Sequence, residues 1–324
     1  MKIAIILSLL LFTIPTWLVD FSKDKTIVFA SLSYYKSDFD GDGLTDLCVW
    51  HKRTNTLYFQ LSSDKKFYQK HFFETDVPFE PVFADYDGDK KTDFAFYQPD
   101  SGQWLVFLTT QPNTTKKTFI GSLGDLPIPT DLSGTGMQHL AIWRPNGSSW
   151  YINDLDKDGN EKQKVVLEGS YQDSAFSGDY DGDGKSDLAV WRPDDGYWHI
   201  VKSSTNFDFS QSEHIQHGQE WDVIVPNDYD ANGKCDLVFW RPQNQVWYFL
   251  FSGTNNQNQL KFGYKNDIPV SGDVDGDQIP ELITWSQTKK SWNILNFKKQ
   301  ESFSYKWTVP DGSLPAVSIL QKYD

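Results

Sequence analysis

Six acidic clusters recur along the chain, and their spacing is the chemistry the sequence offers first. They begin at Asp38, Asp85, Asp131, Asp179, Asp228 and Asp273, at intervals of 45 to 49 residues. The fourth reads Asp179-Tyr-Asp181-Gly-Asp183-Gly-Lys185-Ser-Asp187. Carboxylates stand at positions 1, 3, 5 and 9, and position 7 offers a backbone carbonyl. Alternate spacing in a tight loop turns every second side chain inward, and the glycines permit left-handed backbone. Hard oxygen donors converging on one point suit Ca²⁺ rather than a thiophilic metal.

Five copies keep this pattern. The expected ligands are Asp38, Asp40, Asp42 and Asp46 with the carbonyl of Leu44, then Asp85, Asp87, Asp89 and Asp93 with that of Lys91. In the fourth copy they are Asp179, Asp181, Asp183 and Asp187 with Lys185. In the fifth they are Asp228, Asp230, Asn232 and Asp236 with Lys234. The sixth offers Asp273, Asp275, Asp277 and Glu281 with Ile279. The third copy, Asp131, Ser133, Thr135 and His139, has lost three of its four charges and is expected to hold no metal. A further cluster, Asp154 to Asn160, lacks the position-12 Glu of a helix-loop-helix calcium loop and reads as a solvated turn. Plain Asx turns do not need four acids, and packing them without a cation is repulsive. The chain of 324 residues carries a formal charge of −14, which five Ca²⁺ would reduce to −4.

The elements that position these loops follow the same ruler. Twelve residues after each first Asp stands an aromatic: Trp50, Tyr97, Trp143, Trp191, Trp240 and Trp285. Nineteen after stand Leu57, Trp104, Trp150, Trp198, Trp247 and Trp292. Each unit reads as four short strands. In the fourth these are Ser174 to Gly178, Asp187 to Trp191, Tyr197 to Val201 and Asp208 to Gln216, with an Asp195-Gly196 hairpin turn. No sustained helical periodicity is present outside the N-terminus. Four strands per unit of about 45 residues is the blade pattern of an all-β propeller. Six units predict six blades rather than seven. The segment Leu314 to Ser318 looks like a further inner strand that completes the first blade, and Ile27 to Tyr35 competes for that slot.

Lys2 followed by the apolar run Ile3 to Val19 reads as a secretory signal or a retained anchor, so residues 1–30 are set apart from a propeller over 31–324. Either reading places the propeller outside the cytosol, where millimolar calcium is available. The acidic balance argues against nucleic acid and anionic membrane as partners. Two cysteines, in units that are not neighbours in a six-blade ring, predict no disulfide.

The turn, the Leu-x-Val-Trp strand after it and the period together resemble the FG-GAP/VCBS repeat family. The carriers are DFDGDGLTDLCVW at 38–50, DYDGDGKSDLAVW at 179–191 and DYDANGKCDLVFW at 228–240. The resemblance covers about residues 31 to 324. It implies a propeller with calcium between the first and second strands, as in integrin alpha heads, and extracellular adhesion or ligand binding. It fixes no ligand, and the third copy departs from its calcium motif.

Three copies continue as Trp143-Arg144-Pro145, Trp191-Arg192-Pro193 and Trp240-Arg241-Pro242. Recurrence favours Trp as wedges between blades with Arg lying over the second Trp. A glycan site over blades 3 to 5 is the other reading, and Trp221 and Trp307, which break the ruler, are candidates for roles beyond packing. The histidines form no zinc helix motif, His214 and His217 are expected at the surface, and no Gly-x-Ser-x-Gly elbow is present. Asn113 and Asn146 fit the glycosylation rule. The expected function is a non-enzymatic, calcium-stabilised, monomeric binding module for a protein or glycan ligand. A polysaccharide hydrolase or lyase on the same scaffold is the alternative.

Overall fold

A computed structural model describes residues 37–153, 163–166 and 172–316. Six four-stranded antiparallel sheets follow one another along the chain as the blades of a propeller. Blades 2 to 6 each take their four strands in chain order. Blade 1 has Leu47–His51, Thr56–Gln60 and Phe67–His71, and its inner strand is Leu314–Pro315 from the other end of the chain. That strand pairs Trp50 with Leu314 and Val49 with Pro315, and the Ala316 N–H donates to the Cys48 carbonyl at 3.2 Å. The expected C-terminal closure is therefore present. The competing Ile27–Tyr35 segment, the N-terminal apolar run and the Asp154–Asn160 cluster lie outside the described residues.

The described residues contain no α-helix. Three 3₁₀ turns occur, at Lys52–Thr54, Ser203–Thr205 and Phe209–Gln211. The last two correct the reading of the fourth unit. Its outer strand is Glu213–Gln216, and Asp208 instead caps a 3₁₀ turn by accepting from the Ser210 N–H at 3.0 Å.

The repeated aromatics form the core. Each pair faces across the second and third strands, as Trp143 with Trp150, Trp191 with Trp198 and Trp285 with Trp292. All are buried, and Trp143, Trp191 and Trp240 have no exposed surface. A sugar platform built on those three is thereby overturned: recurrence serves the wedge between blades. Trp307 is also structural, because it packs 6.2 Å from Trp285 and 5.9 Å from Trp292 by ring centroids. Trp221 is exposed.

Two of the arginines lie over a tyrosine rather than over the second Trp. Arg144 sits over Tyr151, and Arg241 over Tyr248. Each instead clamps a buried Asp in the connector that enters its own blade. Arg241 donates Nε and Nη2 to Asp222 at 2.7 and 2.8 Å, and Arg144 does the same to Asp125 at 2.9 and 2.7 Å. Arg192 holds Asp173 at 3.1 Å with both groups. The sequence signal was available. An Asp stands six residues before the first loop Asp in the three copies that have the Arg, and the first two copies, with His51 and Gln98 at the Arg position, have Leu32 and Phe79 there; the sixth keeps Asp267 with Ser286 at the Arg position, and Thr284 Oγ1 donates to that Asp at 2.8 Å. Replacing Arg241 with Met strands a fully buried carboxylate and should cost about 3–5 kcal/mol in urea unfolding. Pairing it with Asp222→Leu should restore most of that loss, since the buried charge is then gone.

Candidate metal centres

In an antiparallel blade the first-to-second and third-to-fourth connections lie at one end of the strands. The acidic turns and the outer hairpins therefore share one face of the wheel. There the first Asp of each turn organises the loop. Asp38 accepts the Gly41 and Gly43 N–H groups at 2.7 and 2.9 Å, and Asp85 accepts those of Gly88 and Lys90 at 2.6 and 2.8 Å. The ninth position closes it from behind. Asp46 accepts the Phe39 N–H and, from the outer hairpin, the Ser62 N–H, both at 2.7 Å. Asp93, Asp187 and Asp236 repeat both bonds, and Glu281 reaches the Val274 N–H at 2.8 Å.

Five carboxylate clusters result, each bringing one oxygen per residue within 4.8 Å of the others. Blade 1 groups Asp38, Asp40 and Asp42; blade 2 groups Asp85, Asp87 and Asp93. Blade 4 groups Asp179, Asp181 and Asp187, blade 5 Asp228, Asp230 and Asp236, and blade 6 Asp273, Asp275 and Glu281. Blade 1 leaves out Asp46. Outside blade 1, the position-5 side chains are Asp89, Asp183, Asn232 and Asp277, of which the three acids are not in these groups. They accept the N–H of position 7, which is Lys91, Lys185, Lys234 and Ile279 in turn, at 2.8–3.0 Å. Asp42 likewise accepts the Leu44 N–H at 2.9 Å.

The sequence reading missed a pair of hydroxyls from the outer hairpin. Ser62 and Ser63 donate to Asp42 and Asp40, Thr109 and Thr110 to Asp89 and Asp87, and Ser203 and Ser204 to Asp183 and Asp181. They stand at a constant 24 and 25 residues from the first Asp, so the ruler held the signal.

Burial sets the protonation of the ninth position. It pushes Asp46 and Asp93 up to about 6 and Asp187, Asp236 and Glu281 up to about 7, against the lowering by backbone N–H groups. A nearby cation is what would relieve that cost. Blade 3 supplies the internal control. Asp131 still accepts Ser133, Gly134 and Gly136 N–H groups at 2.6–3.0 Å, while His139 lies 3.1 Å from the Thr130 carbonyl. The turn thus forms with one carboxylate. The third- and fifth-position acids of the other five are therefore not what shapes the turn, and an all-oxygen donor set fits a hard divalent cation.

Adjacent turns are tied together. The position-8 N–H of one turn donates to the position-1 carbonyl of the preceding one: Thr92 to Asp38, Gln138 to Asp85, Ser186 to Asp131, Cys235 to Asp179 and Thr45 to Asp273, all at 2.6–2.7 Å. The sixth strap has no donor, because blade 6 has Pro280 there. The position-7 side chain lies over the glycine of the preceding turn, as Lys91 over Gly41 and Lys234 over Gly182.

Blade 6 differs in another way. Lys299 donates to Asp275, and its Nζ lies 3.8 Å from Asp277. An ammonium already inside the cluster competes with a metal ion. Lys299→Ala should therefore raise the affinity of that one centre at least several-fold, read as one tighter step in a calcium titration by calorimetry.

Of the histidines, His214 is exposed as expected. His217 is half-buried: it packs 4.7 Å from the Phe239 ring, and burial pushes it down to about 4. Cys48 and Cys235 are both buried free thiols, in keeping with the absence of a disulfide.

The FG-GAP-like repeat family matches residues 38–96 and 179–238. No curated protein matches the chain. Among solved structures, an Agrocybe aegerita lectin specific for non-reducing terminal N-acetylglucosamine is similar over 82% of this chain and 77% of its own, at 12% identity and a TM-score of 0.55. The virginiamycin B lyase of Staphylococcus aureus is similar over 90% and 87%, at 10% identity and 0.52. A functionally unknown protein from Desulfotomaculum acetoxidans is similar over 82% of each chain, at 12% identity and 0.51. At such identities the likeness concerns the fold.

Proposed function

We propose that this six-bladed propeller of FG-GAP-like repeats is a non-enzymatic, monomeric binding module that works outside the cell. Calcium stiffens one of its faces and a protein or glycan ligand is held on the other. The proposed calcium ligands are the first, third, fifth and ninth side chains of the turns in blades 1, 2, 4, 5 and 6, with the carbonyls of Leu44, Lys91, Lys185, Lys234 and Ile279. The ion would supply positive charge to buried carboxylates and fix the loop, and no reaction step is assigned to it.

One observation carries the assignment of the ligand face. The connectors between blades lie opposite the acidic turns, and they carry half of the large exposed apolar side chains among the described residues: Val77, Leu123, Trp221 and Tyr264. The other four, Phe67, Phe119, Phe303 and Tyr305, sit on outer strands. A groove of about 490 Å³ adjoins the first connector, lined by Phe73, Val77, Phe79, Gln98, Gln103 and Leu105. Rings bordered by amide groups suit a ligand with apolar faces and polar edges, such as a sugar or an extended peptide. Solubility does not call for such residues on one face.

The test is retention of ligands from glycan and peptide arrays by the calcium-loaded protein, compared with Trp221→Ala and Val77→Ala, both at exposed side chains. Loss of retention with an unchanged melting temperature is expected. Retention unaffected by both variants would refute the face assignment. Turnover of an arrayed glycan would refute the non-enzymatic reading.

A further inference from the structure

Outside the acidic turns, two imidazoles face each other on the circumference of blade 4. His199, on the third strand Tyr197–Val201, and His214, on the outer strand Glu213–Gln216, are directly opposite in the register. Their Nδ1 atoms are 2.7 Å apart and their rings stand at 75°. We propose that this pair is a binding site for a borderline transition-metal ion of the Zn²⁺, Ni²⁺ or Cu²⁺ class, ligated by both Nδ1 atoms and separate from the calcium turns.

Two nitrogens that converge this closely share either a proton or a metal ion. Imidazole ligands about 2.0–2.1 Å from one ion, at angles near 90–110°, lie roughly 2.8–3.4 Å apart. A small rotation of the exposed His214 ring supplies the difference. At His214 the surroundings favour the metal-ready tautomer. Ser212 Oγ lies 2.9 Å from His214 Nε2, so an Nε2–H donor to that hydroxyl leaves Nδ1 bare. His199 Nε2 is buried with no hydrogen-bond partner, so ligation through Nδ1 leaves an unpaired Nε2–H whose cost the metal bond must outweigh. Burial, then Arg192 and His214, hold His199 below the usual imidazole range, which keeps it in the ligating form at neutral pH. Phe209 packs on the far ring at 6.5 Å. Nitrogen donors distinguish this place from the all-oxygen turns. Sequence reasoning had no route to it, because the register depends on the two 3₁₀ turns between the strands.

The test is a Zn²⁺ titration of the full chain under saturating Ca²⁺, which keeps the acidic turns occupied. About one equivalent of Zn²⁺ should bind, and His199→Gln or His214→Gln should each weaken it by at least about tenfold, with the double variant no worse than either. Cu²⁺ bound to the wild-type protein should give an electron paramagnetic resonance spectrum with coupling to two imidazole nitrogens, a readout independent of any variant. Unchanged Zn²⁺ binding in the double variant, Zn²⁺ uptake that only displaces Ca²⁺, or an oxygen-only copper spectrum would each overturn the site.

Discussion

Removal of calcium should lower the melting temperature of this protein by more than about 15 °C, far beyond the effect of the same ionic strength of a monovalent salt. The expectation follows from mass action. A centre with a dissociation constant of about 10 μM gains about 2.7 kcal/mol at 1 mM Ca²⁺. Four such centres, with blade 6 discounted for Lys299, gain about 11 kcal/mol, and each kcal/mol moves a domain of this size by roughly 2–4 °C. Scanning calorimetry with and without chelator reads this directly, and an unmoved transition would refute the metal assignment.

The pH dependence supplies a second arm. The five ninth-position acids have folded-state values raised to about 6 or 7, above the unfolded values near 4. Between those limits the metal-free folded chain binds more protons than the unfolded one. Its stability is therefore greatest below about pH 4 as far as these groups are concerned, and falls as pH rises through 6 to 7. Chelated protein should melt higher at pH 5 than at pH 8. Calcium-loaded protein should show the opposite order, because protons compete with the ion for the same oxygens.

The other large effect is expected from the chain end. Truncation before Ser313 removes the inner strand of blade 1 and the carbonyl that accepts Trp285 Nε1 at 3.1 Å. Leu47–His51 then becomes an open edge with unpaired backbone groups. Loss of the single cooperative transition, and association of the truncated chain on gel filtration, are expected. Cooperative melting of a monomer like the full chain would contradict the closure described here. Supplying the segment 311–324 as a peptide should return the monomer.

The fold was legible because repetition reports on packing. A wedge between blades has the same shape each time, so Trp143, Trp191 and Trp240 recur and are buried. The acidic turns were legible for the same reason, with their missing charges in blade 3. What escaped the ruler was whatever depends on one blade alone. The 3₁₀ turns at Ser203–Thr205 and Phe209–Gln211 shorten the outer strand of blade 4 and set His199 against His214. Trp307 looked irregular in spacing yet fills the last wedge beside Phe67, at 5.1 Å. The Arg–Asp clamps were written in the copies but needed comparison of Asp125, Asp173 and Asp222 with Arg144, Arg192 and Arg241.

Pro280 gives the wheel a preferred place to part. Every other described junction carries a strap between turns, and the C-terminal strand closes the wheel inside blade 1; blades 5 and 6 are joined near the hub by Asn227 Nδ2 donating to Ser271 Oγ at 3.0 Å. A crack that opens there crosses no chain terminus. The polypeptide runs on through it as a hinge, so a wheel strained by heat or force yields like a split washer and springs shut without having to find its own end again.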